Sequence, residues 1–173
     1  PNIDKSKTIS INYSNKSGVG IIRSKETENF TIDAFKLSKK LLKENRLNLV
    51  SKGEVIEESD IVLQSLASND IVKGHKFLFL VSSNYIDSRD TNIRGLLNIL
   101  TKESFEKDLF YNQAEILVED IQESLNTTIS TLYPEIEEIK KQHQESLDKL
   151  KEMFLLDEET AKDIAISIND SDT

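Results

Sequence analysis

The hydrophobic period of this chain changes near residue 100, and that change restricts the fold more than any other feature. Before it, apolar residues alternate with polar ones or gather in short runs, as strands require; after it they recur every three or four residues, as amphipathic helices require. Thr8-Ile9-Ser10-Ile11-Asn12-Tyr13 alternates at period two, and after the turn signal Asn15-Lys16-Ser17-Gly18 the run Val19-Gly20-Ile21-Ile22 returns as a hairpin partner. Asn29 to Phe35 alternates again and predicts a third strand. Leu37, Leu41 and Leu42 among Lys36, Lys39, Lys40 and Lys43 predict a basic helix. Leu47 to Ser51 and Glu54 to Glu57 flank Lys52-Gly53 and predict a tight hairpin. Ile61, Val62, Leu63 and Leu66 form an apolar cluster before a polar break at Ser68-Asn69-Asp70. Phe77-Leu78-Phe79-Leu80-Val81 is continuously apolar and predicts a central strand covered on both faces.

From Thr101, a candidate cap, Phe105, Leu109, Ile116, Ile121 and Leu125 predict one helical element reaching about residue 129. Tyr133-Pro134 ends it, and Pro134 suits the first turn of the next helix. Ile136, Ile139, His143, Leu147, Leu150 and Phe154 then mark a long amphipathic helix, and Asp157 caps a last short helix around 161–168. The expected class is α+β, with a mixed sheet in a strand-rich part, 1–100, and long C-terminal helices in a helical extension, 101–173. The start at Pro1 and the close in Asn169-Asp170-Ser171-Asp172-Thr173 lead to the expectation of a piece of something larger, with ordinary Met removal before Pro as the alternative for the start.

At 37% hydrophobic and 31% charged residues, 173 residues hold enough apolar surface for a core. No apolar run is long enough to cross a bilayer and no signal-peptide pattern opens the chain, so a cytoplasmic protein without membrane partners is expected. The absence of Cys removes disulfide frameworks, thiolate metal sites and cysteine nucleophiles, and His75 and His143 lie too far apart in sequence for a helical zinc motif. The formal charge of −9 opposes a nucleic-acid footprint over the whole surface. It is unevenly spread: residues 1–53 hold eleven Lys or Arg against five Asp or Glu, and residues 54–173 eleven against twenty-six. The basic part is either a solvated helix and loop or a nucleic-acid face.

Phosphate-cradling loops, dinucleotide fingerprints, nucleophile elbows and calcium loops are all missing. Ser17-Gly18-Val19-Gly20 reads as a hairpin turn, and His143, on the apolar stripe, as a partner-facing or partly buried side chain. The segment after the central strand, Ser82 to Gly95, is polar and carries Arg89 and Arg94. Arginine at a strand end suits phosphate, because the guanidinium is a fixed fork of donors that stays ionised. The plainer alternative is a pair of loop arginines bonding local carbonyls or Asp87 and Asp90.

The succession Leu47 to Glu57, Phe77 to Val81, Tyr85-Ile86-Asp87 and Asp90-Thr91-Asn92-Ile93-Arg94 resembles the transducer (middle) domain of GHKL ATPases, the superfamily of gyrase B subunits, MutL mismatch-repair proteins, ninety-kilodalton heat-shock chaperones and histidine-kinase-like ATPases. The likeness covers residues 29–126. It implies a left-handed βαβ unit of the ribosomal small-subunit protein five type, and a basic residue reaching the nucleotide's terminal phosphate: Arg94, with Arg89 as the alternate. Lys52 and Gly53 stand where the family commonly has Asn and Arg. The ATP-binding motifs are absent here, so the resemblance implies an upstream ATP-binding domain as partner, ATP and Mg held by the parent, no cofactor and no catalysis in this piece alone, and a homo-oligomeric parent. The competing reading is a non-enzymatic interaction or scaffold module whose helices after Thr101 pair with a partner.

Overall fold

A computed structural model describes residues 1–18, 20–91, 96–109 and 112–171, with side chains up to Leu155. Five strands come first: β1 (Lys5–Ser17), β2 (Gly20–Ser38), β3 (Arg46–Ser51), β4 (Glu54–Ile56) and β5 (His75–Ser82). Four helices follow: α1 (Asn84–Ser88), α2 (Lys102–Lys107), α3 (Val118–Leu132) and α4 (Pro134–Ser171). The sheet order is β1-β2-β5-β3-β4, so β5 is central as expected, and only its pairing with β3 is parallel. The class is the mixed α+β arrangement that the change of period required. Among the described residues no helix is long and apolar enough to cross a membrane.

Two Lys-Gly pairs make the tight turns. Lys52 and Gly53 have φ of 50° and 81°, and Lys73 and Gly74 have 49° and 80°. Two successive positive φ values match the right-handed twist of the strands a two-residue turn joins, and glycine takes the second without strain. The first closes the β3–β4 hairpin on the pair Ser51↔Glu54; the second folds His75 back on Val72 through reciprocal 3.0 Å backbone bonds and starts β5.

Alternation sorts the sheet into faces. Phe30, Ile32 and Ala34 of β2, Phe77, Phe79 and Val81 of β5 and Leu49 of β3 are wholly buried on one face. Ile121, Leu125 and Ile129 of α3 and Ile136 at the start of α4 complete the same core, also without exposed surface. Tyr133, at the α3–α4 junction, sets its ring edge-on to Phe77 at 4.7 Å and donates its hydroxyl to Asp4 Oδ2 at 2.7 Å. Strands from the first hundred residues and helices from the rest therefore share one buried cluster.

Residues 57–74 cross from β4 to β5 without a helix, so their backbone groups need other partners. Two buried asparagines supply them. Asn126 of α3 accepts from the Gln64 N–H at 2.7 Å and donates to the Val62 carbonyl at 3.1 Å. Asn45 donates to the carbonyls of Ala67 (2.8 Å) and Asp70 (2.7 Å) and accepts from the Phe77 N–H (2.7 Å). Ile61, Leu66 and Val72 are thereby held in the core.

Five expectations are corrected. The basic helix over residues 36–43 does not form, because β2 runs on to Ser38, paired with His75 of β5, and Lys36 on its core face reaches Glu135 at 3.9 Å. The separate strands at 19–22 and 29–35 are parts of that one long β2. Among the described residues every helix follows the last strand and no βαβ unit forms: the parallel pair β3 and β5 is bridged by β4 and the loop 57–74. The helix expected from Thr101 to about 129 is two, α2 and α3, since the chain between them turns to lay Glu115 beside Ser14 of β1. The short helix at 161–168 is the end of a continuous α4. The central strand also differs in detail, with Leu78 and Leu80, on the face away from the core, only half-buried.

Candidate functional site

β5 delivers the chain to a compact corner. Ser83 caps α1 by accepting from the Ile86 N–H at 2.9 Å, and this single turn buries Tyr85 and Ile86 while leaving Asn84 and Ser88 exposed and Asp87 half-buried. Arg89 follows, its N–H bonded to the carbonyls of Tyr85 and Ile86. The next segment doubles back: Thr91 donates to the Leu96 carbonyl from both N–H (3.1 Å) and hydroxyl (3.0 Å), and Asn98 N–H donates to the Arg89 carbonyl at 2.8 Å. Thr91 is thus fastened to Leu96 and Asn98 to Arg89. Arg94 falls between Thr91 and Leu96 in sequence and lies outside the described residues.

The β3–β4 turn is fastened to the same corner. Asp87 Oδ1 accepts from the Lys52 N–H at 2.8 Å, and Asp90 Oδ2 accepts from the Ser51 hydroxyl at 3.0 Å. Both acids join the hairpin tip to the end of α1, so that end and the Lys52 turn form one frame. An exposed Lys52 side chain sits on it.

The fold places Arg89 inside its own packing. Its guanidinium meets Glu115 Oε2 at 2.7 Å and lies 4.8 Å from the centre of the Tyr85 ring. The Glu115 side chain is 1% exposed. The Tyr85 hydroxyl donates to the same Oε2 at 2.5 Å and accepts from the Ile116 N–H at 3.0 Å. Burial first, and then the bond to Glu115, push the Tyr85 hydroxyl well above its ordinary titration range. The backbone of Glu115 pairs with Ser14 of β1, at 2.6 and 3.0 Å. This node ties the central strand's exit, the edge strand and the approach to α3 together, so the Arg89 guanidinium stabilises the fold by neutralising a carboxylate that burial would otherwise penalise.

Reading the sequence missed this node. Its signal was present: Glu115 is a lone acid in Ala114-Glu115-Ile116-Leu117-Val118, and an acid inside an apolar run needs a cation or donors once buried. A cleft of about 360 Å³ beside Leu97 is lined by Leu49, Ile61 and Ile99 together with Glu58 and Asp60, a composition that repels phosphate. Among the described residues no group of three His, Asp or Glu side chains is placed to hold a metal ion.

No protein-family model, curated protein or solved structure matches this chain.

Proposed function

We propose that this chain is the transducer region of a GHKL-type ATPase, coupling ATP and Mg binding in an upstream domain to rearrangement of domains or of a dimer. The observation that carries the reading is the frame just after the central strand: Thr91 and Leu96, which flank Arg94 in sequence, are bonded to each other, and Asp87 and Asp90 fasten the same corner to the β3–β4 turn. A guanidinium on such a mount stabilises phosphate charge only when a second unit docks against it, so nucleotide state becomes relative position. With Arg89 committed to Glu115, Arg94 is the residue assigned to the terminal phosphate.

The test uses the longer chain that includes the ATP-binding domain. Arg94→Ala lowers ATP turnover by roughly a hundredfold, the scale of losing one transition-state donor, and leaves thermal unfolding unchanged. Unaltered turnover removes the assignment. Calorimetric titration of residues 1–173 with ATP gives no heat; micromolar binding would show that the piece is more than an accessory.

A second reading, a non-enzymatic interaction module, is favoured by the large apolar side chains that α4 leaves in solvent.

A further inference from the structure

The helix α4 is 38 residues long, about 57 Å at the standard rise; it stays beside the body through His143, whose Nε2 lies 3.6 Å from Asp70, and Leu147, which lines a cleft with Leu63 and Leu66. Ile136 is fully buried and Ile139 half-buried, whereas every residue from Lys140 to Leu155 is exposed. Along that stretch Leu147 is 49% exposed, Leu150 62%, Met153 61%, Phe154 64% and Leu155 58%. Leu147, Leu150 and Phe154 follow one another at steps of three and four, so they share a stripe, with Met153 beside it. Five large apolar side chains on consecutive turns form a continuous patch of the kind that marks an association surface.

The charge pattern says what covers it. By sequence, residues 140–151 carry four lysines and two acids, and residues 152–163 one lysine and five acids. Two copies aligned in parallel set the acidic half against the acidic half. Aligned antiparallel about a dyad near residue 152, each lysine-rich half runs beside its partner's acidic half, and Leu150 of each copy meets Phe154 of the other. We infer that α4 is a self-association element, pairing two copies of this chain antiparallel through Leu147, Leu150, Met153 and Phe154. The inference stands without the transducer reading, since it uses only the helix.

The absence of cysteine makes the arrangement directly testable. Sedimentation equilibrium of the 173-residue chain should show a monomer–dimer equilibrium with a dissociation constant of about 10 µM, weakening as salt screens the paired halves. The double variant Leu150→Glu, Phe154→Glu should raise that constant at least about a hundredfold with unchanged circular dichroism, both sites being exposed. Under mild oxidation Met153→Cys, close to the dyad, should form a disulfide dimer. Leu147→Cys should not, because its two copies lie about 15 Å apart along the antiparallel pair, beyond disulfide reach. A monomer at about 500 µM, a dimer indifferent to the double variant, or a Leu147→Cys disulfide as ready as that of Met153→Cys would each overturn the inference.

Discussion

The stretch from Glu115 to Leu132 and the outer part of α4 look alike as sequence, both amphipathic, both acidic, with apolar residues at helical spacing. Their fates in the fold are opposite. In α3, Ile121, Leu125 and Ile129 have no exposed surface, Asn126 clasps the loop 57–74, and Glu115 just upstream is locked by Arg89 and Tyr85. In α4, Leu150 and Phe154 are more than 60% exposed. Helical periodicity specifies that one side of a helix is apolar; it does not specify what that side meets.

The contrast can be broken most forcefully at Arg89. Arg89→Ala leaves the Glu115 carboxylate buried without its guanidinium and is expected to cost about 3–5 kcal/mol, or roughly 10 °C in Tm, by thermal denaturation. A change below about 1 kcal/mol would mean that the node contributes little and that Arg89 is retained for another task.

Leu125→Ala opens a cavity in the core and is expected to cost about 3 kcal/mol in urea denaturation. The same change at Leu150, measured at concentrations where the chain is monomeric, is expected to fall within about 0.5 kcal/mol. Equal effects at the two sites would erase the distinction between a helix that builds the body and one that leaves it.

Tyr85→Phe sharpens the comparison through pH. It removes one donor to Glu115 and is expected to cost about 1–2 kcal/mol at neutral pH. Because the folded-state pKa of Tyr85 is raised above the ordinary value of 10.0, its contribution to stability is intact below that pH and is lost as pH climbs above it. Alkaline unfolding followed above pH 10 should therefore be shallower in the variant by up to about 1.4 kcal/mol per pH unit. An identical alkaline slope would place the sensitivity at the other raised tyrosines, Tyr13 and Tyr133.

Much of the architecture was legible in local pattern. The Lys52-Gly53 hairpin, the central place of Phe77–Val81, the break at Tyr133-Pro134 and the long helix after it all follow from signals spanning a few residues. The basic helix at 36–43 failed because Leu37, Leu41 and Leu42 fit a helix by spacing, while β5 offered Leu37 and Ser38 a paired edge that no local spacing reveals. At the candidate site, Asp87 and Asp90 were legible as loop acids. Their actual partners, Lys52 N–H and the Ser51 hydroxyl, stand more than thirty positions away and were not.

The sequence by itself determined that strands precede helices and where the Lys52-Gly53 turn and the Tyr133-Pro134 break fall, because those depend on residues within one turn or one strand pair of each other. Only the tertiary structure decided that Arg89 belongs to Glu115, that two asparagines replace a helix between β3 and β5, and that α3 is covered while α4 is not. Each of those outcomes rests on contacts between residues far apart in the chain, where the cost of burying a charge or a backbone amide is settled by whichever group the fold brings to it.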